Sequence, residues 1–94
     1  TIQGNIANND GGGIYTNGIL SVADSAIVNN RANGGNGGGL LNRGLASITT
    51  TTVDGNQAND NGGGIDNRGT LNLSRSTMSN NLSNINGGSA GNGG

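Results

Sequence analysis

The sequence predicts an all-β fold: a three-sided parallel β-solenoid of about 25 residues per coil, roughly three and a half coils long. Three observations carry this expectation. Gly-Gly-Gly followed by an aliphatic residue occurs at residues 11–14, 37–40 and 62–65, with starts 26 and then 25 residues apart. Each copy leads at the same offset to a Gly (Gly18, Gly44, Gly69), an alternating apolar run, and an aliphatic-x-x-Asn. Within the runs the apolar residues keep register from copy to copy. Self-similarity at a fixed period marks a repeat architecture, in which no unit buries its apolar face without the units above and below.

The elements follow in order. Residues 1–10 read as the end of a coil: Ile2-Gln3-Gly4-Asn5-Ile6-Ala7 lines up with Val53-Asp54-Gly55-Asn56-Gln57-Ala58. Full coils follow over 11–36 and 37–61. A further coil spans 62–92 with an insertion over 86–92, and Gly93-Gly94 starts the next. The whole of 1–94 is one solenoid segment, expected to be a section of a longer solenoid or to be held between neighbours. In each full coil a first strand centres on Ile14, Leu40 or Ile65. A second has Leu20/Val22, Ala46/Ile48 or Leu71/Leu73 facing in and Ser21/Ala23, Ser47/Thr49 or Asn72/Ser74 facing out, the period of two that a half-buried strand requires. A turn comes at Asp24, Thr50 or Arg75. A third strand has Ser25/Ile27, Thr51/Val53 or Ser76/Met78 inward. A helical reading fails, because Gly and Asn at this density are poor helix formers.

Stacking places equivalent residues over one another about 4.8 Å apart. The expected core columns are Ile14–Leu40–Ile65, Leu20–Ala46–Leu71, Val22–Ile48–Leu73 and Ile27–Val53–Met78, with Ala32, Ala58 and Ser83 where the wall is close. Asn5, Asn30, Asn56 and Asn81 form an Asn ladder, since a carboxamide offers both donors and acceptors along the stack. These Asn residues are also expected to take the left-handed conformation of a sharp corner. The Gly runs are corners at which side chains would crowd or φ is positive.

Composition agrees with a solenoid and excludes several functions. Hydrophobic residues make up 29 % and aromatics 1 %, too little for an ordinary globule. Yet net charge is only −1, with 21 Gly and no Pro, which is not the charged make-up of disorder. A flexible Gly/Asn-rich linker would not keep apolar register. The charge balance is no footprint for nucleic acid. No Cys or His is present, so disulfides, thiol chemistry and zinc sites are excluded. No run approaches the ~18 apolar residues of a membrane span.

The motifs Gly11-Gly12-Gly13-Ile14 and Ile27-Val28-Asn29-Asn30 resemble the repeats of bacterial polymorphic outer-membrane proteins and related β-helix surface proteins. Those repeats carry Gly-Gly-Ala-aliphatic and Phe-x-x-Asn. Here the second motif reads Ile2-x-x-Asn5, Ile27-x-x-Asn30, Val53-x-x-Asn56 and Met78-x-x-Asn81. The resemblance spans the chain as a repeat grammar. It implies a right-handed, pectin-lyase-like parallel β-helix and an extracellular or cell-surface bacterial location, as in adhesins and surface filaments. A shared activity is not implied, because function sits in grafted sites.

Candidate chemistry is sparse. β-Helix lyases and hydrolases need clustered carboxylates or a neighbouring base. Asp10, Asp24, Asp54, Asp60 and Asp66 fall in five different columns, and there is no His, Glu, Lys or Cys. No catalytic residue, resident metal or cofactor is therefore assigned, and the segment is read as not an enzyme. A calcium site at Asp60 and Asn61 competes with ordinary turn chemistry. Arg43 and Arg68 share a column, with Asp66 nearby, as an anion or glycan patch or else a surface ion pair. The outward hydroxyl-rich face suits another solenoid, a glycan or plain solvent. The Thr run over 49–52 does not recur, which weakens an ice-binding reading. Asn72-Leu73-Ser74 and Asn81-Leu82-Ser83 are sequons; only Asn72 is placed for glycosylation. The expected function is a structural segment of a secreted or surface solenoid acting as stalk, adhesin passenger or filament. Its partners are neighbouring coils of a longer chain, other solenoid copies, or glycans. The alternative is a carbohydrate-binding or polysaccharide-active β-helix with its site outside this segment.

Overall fold

The computed structural model describes residues 1–83. The insertion expected over 86–92 and the Gly93-Gly94 start lie outside the described residues. Thirteen short strands and no helix occur among them. The first, partial coil has β1 (Ile2–Gln3) and β2 (Ile6–Ala7). The next has β3 (Ile14–Thr16), β4 (Ile19–Ala23), β5 (Ala26–Val28) and β6 (Arg31–Ala32). Then come β7 (Leu40–Asn42), β8 (Leu45–Thr49), β9 (Thr52–Asp54) and β10 (Gln57–Ala58). The last described coil has β11 (Ile65–Asn67), β12 (Thr70–Ser74) and β13 (Thr77–Ser79), with Leu82 bridging to Gln57.

Every pairing is parallel and joins one coil to the next. The ladders are β3-β7-β11, β4-β8-β12, β1-β5-β9-β13 and β2-β6-β10. The chain is thus a parallel β-solenoid with about 25 residues per coil. It differs from expectation in having four strands per full coil instead of three. The extra ladder, β2-β6-β10, holds the Ala7, Ala32 and Ala58 column. The ladder Asn and the residue before it interrupt what would otherwise be one longer side.

In the ladder register Ile14 pairs with Leu40 and Leu40 with Ile65. Leu20, Ala46 and Leu71 align, as do Val22, Ile48 and Leu73. Ile27, Val53 and Met78 align in the third column group, with Ile2 beneath Ile27. Burial depends on having a coil on both sides. Ile27, Leu40, Ala46, Ile48 and Val53 are fully buried, each worth roughly 1.5–3 kcal/mol for the larger side chains. Ile14, Leu20, Val22, Ile65 and Leu71 are half-buried, because their columns have a described neighbour on one side only. Leu73 and Met78, in register with Ile48 and Val53, are 41 % exposed for the same reason, since they lie in the last described coil. Conversely Leu41, stacked between Tyr15 and Asp66, is completely buried although alternation puts it on the outward side of β7.

Three corners per coil use left-handed backbone. One is the first Gly of each triple, Gly11, Gly37 and Gly62. A second is at Asp24, Thr50 and Arg75, each at φ 50°. Such a conformation costs an L-residue roughly 1–2 kcal/mol. A hydroxyl on the following residue braces it: Ser25 Oγ donates to Ala23 O (2.7 Å), Thr51 Oγ1 to Thr49 O (2.9 Å) and Ser76 Oγ to Ser74 O (2.8 Å). The third is at Gly4, Asn29, Gly55 and Asn80. The ladder Asn was expected to supply this last corner; the residue immediately before it does so instead. The ladder Asn must keep its side chain aimed along the stack, so the neighbour takes the strain.

The second and third Gly of each triple are required by proximity. A Cβ on Gly13 would lie 3.0 Å from Asn30 Nδ2, and one on Gly39 3.1 Å from Asn56 Cγ. The coil of residues 11–36 is longer by one because four residues (33–36) separate Ala32 from Gly37, where three separate Ala58 from Gly62. By contrast a Cβ on Gly18 meets nothing within 4 Å. Gly39→Ala is therefore expected to destabilise the solenoid by about 1–3 kcal/mol through overpacking. Gly18→Ala should stay within about 0.5 kcal/mol of the parent. Urea unfolding of the two variants beside the parent protein checks the contrast.

Candidate functional site

The polar groups with the most organised geometry are the stacked Asn residues. Asn5 donates from both its backbone N and its Nδ2 to Asn30 Oδ1, each at 3.0 Å. Asn30 does the same to Asn56 Oδ1 at 2.9 and 3.1 Å, and Asn56 to Asn81 Oδ1 at 3.0 Å for both. The remaining Nδ2 proton points to the coil below. Asn30 donates to Ile2 O, Asn56 to Ile27 O and Asn81 to Val53 O. Those acceptors are the aliphatic residues of the aliphatic-x-x-Asn motif one coil down, which explains why the two positions travel together. Asn30 and Asn56 are buried with every carboxamide donor engaged and each Oδ1 accepting two bonds.

Two further polar columns were missed by sequence reasoning. Thr16, Asn42 and Asn67 align in β3, β7 and β11. Asn42, fully buried, donates from Nδ2 to Asn67 Oδ1 (2.8 Å) and Thr70 O (2.9 Å). Its Oδ1 caps Gly44 N (3.0 Å), and Asn67 Oδ1 caps Gly69 N (3.3 Å). The recurring Asn-Arg-Gly at 42–44 and 67–69 was the available signal. The other column is Asp10, Asn36 and Asn61, just before each Gly triple. Asn36 N donates to Asp10 Oδ1 (2.8 Å) and Asn61 N to Asn36 Oδ1 (2.9 Å).

On the outside, β4-β8-β12 presents Ser21, Ser47 and Asn72 in one column and Ala23, Thr49 and Ser74 in the next. Asn72 is exposed there, whereas Asn81 of the other sequon is held in the ladder. Arg43 and Arg68 occupy consecutive coils, their backbone N atoms donating to Thr16 O and Asn42 O. Their side chains turn to different partners. Arg43 lies over the Tyr15 ring, 5.9 Å from its centroid, at the range of a cation–π contact. Arg68 pairs with Asp66 at 3.1 Å, an exposed pair worth ~0–1 kcal/mol. Asp60 N donates to Gly35 O beside the Asn61 column. Asn59 Oδ1 is the one buried side-chain polar atom without a hydrogen-bond partner among the described residues. No group of three or more acidic residues able to hold a metal occurs among them. The chain matches no family model, no curated protein and no solved structure.

The geometry thus concentrates polar chemistry inside the wall. Replacing Asn56 with Leu removes the acceptor of Asn30 N and Nδ2 and leaves Asn81 Oδ1 and Ile27 O short of donors. Asn56→Leu is expected to lower unfolding free energy by about 1–3 kcal/mol. A urea midpoint equal to that of the parent protein would contradict the ladder's role in stability.

Proposed function

We propose that the chain is a structural segment of a secreted or cell-surface bacterial β-solenoid, working as a stalk, adhesin passenger or extracellular filament. The observation that carries this reading is the saturation of Asn30 and Asn56, whose carboxamide groups all bond to neighbouring coils. Polar groups committed in this way stiffen the stack and are not available to a ligand. Backbone and side-chain bonds tie each coil to the coil on either side of it. A rod built so lengthens by repetition and leaves its outer face free to vary. The repeat grammar's resemblance to polymorphic outer-membrane-type proteins supports the extracellular location, and neighbouring coils or other solenoid copies are its natural partners.

A second reading, carbohydrate recognition, draws on Tyr15, an exposed aromatic ring beside Arg43, with the Asp66–Arg68 pair one coil further on. A polysaccharide-active site in other coils belongs to this reading as well.

Electron microscopy of the native, full-length protein and surface proteolysis of intact cells test the first reading. Protease-accessible rods lengthening by about 4.8 Å per added coil are expected. A globular particle protected inside cells would overturn it. An oligosaccharide array should give no binder above background. A specific hit lost in Arg43→Ser would favour the second reading.

A further inference from the structure

The corners between the first two strands of each full coil share one backbone plan but differ in chemistry. They read Thr16-Asn17-Gly18, Asn42-Arg43-Gly44 and Asn67-Arg68-Gly69. In the latter two, an Asn carboxamide oxygen caps the Gly N–H. In the first, Thr16 stands at the capping position, and Gly18 N has no hydrogen-bond partner among the described residues. The residue before that uncapped Gly is Asn17. Both Asn17 and Gly18 are exposed, and the Asn17 carboxamide likewise has no partner among the described residues. The nucleophile and electrophile of succinimide chemistry are therefore adjacent and solvated, while the Gly18 carbonyl accepts from Leu45 N of the next coil (2.9 Å).

The geometry points to Asn17-Gly18 as a site of spontaneous deamidation and isoaspartate formation. Gly18 N attacks Asn17 Cγ and gives up its proton as ammonia leaves. The N–Cγ bond formed and the Cγ–Nδ2 bond broken leave a five-membered succinimide. Water then opens either carbonyl, giving aspartate or isoaspartate. Amide and water become carboxylate and ammonium, and water is the only co-reactant.

Other Asn-Gly steps provide internal controls. At Asn36-Gly37 both partners are held: Gly37 N donates to Asn61 O (2.9 Å), Asn36 Nδ2 donates to Asp10, and Asn36 Oδ1 accepts from Asn61 N. Cyclisation there would break the stack. At Asn61-Gly62 the glycine is buried within the Gly-triple corner, and Asn61 N is bonded to Asn36. At Asn33-Gly34 the Asn33 carboxamide oxygen accepts a bond from Arg31 Nε. The coil register also places position 17 beneath Arg43, whose backbone N donates to Thr16 O. Deamidation adds a carboxylate at position 17, in the column that Arg43 occupies on the next coil.

The test is incubation of the full-length protein at mildly alkaline pH, followed by peptide mapping and isoaspartyl methyltransferase labelling. Asn17 is expected to convert at least about tenfold faster than Asn36, as protection by several hydrogen bonds implies. Thr16→Asn, which reinstates the cap of the other coils, should slow conversion at Asn17 without altering that at Asn33. Gly18→Ala should suppress it while circular dichroism stays unchanged. Equal rates at Asn17 and Asn36, conversion led by Asn33, or no effect of Thr16→Asn would each overturn the assignment.

Discussion

Everything in this solenoid depends on the contact between the third Gly of each triple and the ladder Asn of the same coil. The Asn carboxamide must lie flat against the wall to give one proton to the coil above and one to the carbonyl below. Only a residue without Cβ lets the facing wall come close enough: Gly13, Gly39 and Gly64 sit against Asn30, Asn56 and Asn81. The second Gly of the triple approaches the backbone of the residue after that Asn, at Arg31, Gln57 and Leu82. Two motifs far apart along the coil are thus two halves of one device. A buried amide is costly when unsatisfied, so the device also penalises slippage between coils.

The wall's interior is thin, and that explains its dependence on polar ladders. Small aliphatics fill it, and fully buried side chains occur only where coils lie on both sides. Three Asx columns and a hydroxyl brace at the Asp24, Thr50 and Arg75 corners supply order that a larger core would otherwise give. The outside is released from these constraints. Positions such as Asn17, Arg43 and Arg68 share a column yet differ in charge and partner, which is where chemistry specific to one coil can arise.

How much of this was legible follows from what kind of regularity each feature leaves. The apolar columns and the Asn5–Asn30–Asn56–Asn81 ladder were readable because one residue type recurs at one offset. Asn42 and Asn67 were not, because the column begins with Thr16 and looks broken. The Asp10–Asn36–Asn61 column mixes acid and amide and follows the one-residue expansion between Ala32 and Gly37, which hides its register. The fourth ladder escaped notice because its strands have two residues each and carry Ile6, Arg31, Gln57 and Leu82 outward, with no shared hydropathy.

The repeat period, the parallel stacking and the identity of the inward aliphatic residues were determined by the sequence itself, since alternation and fixed spacing are local properties of the chain. Only the tertiary structure decided which residue of each corner turns left-handed, that Leu41 is buried, and which Gly N–H groups are capped. Those outcomes depend on what the neighbouring coil places within hydrogen-bond or van der Waals reach, and a single coil's sequence carries no record of its neighbour's backbone.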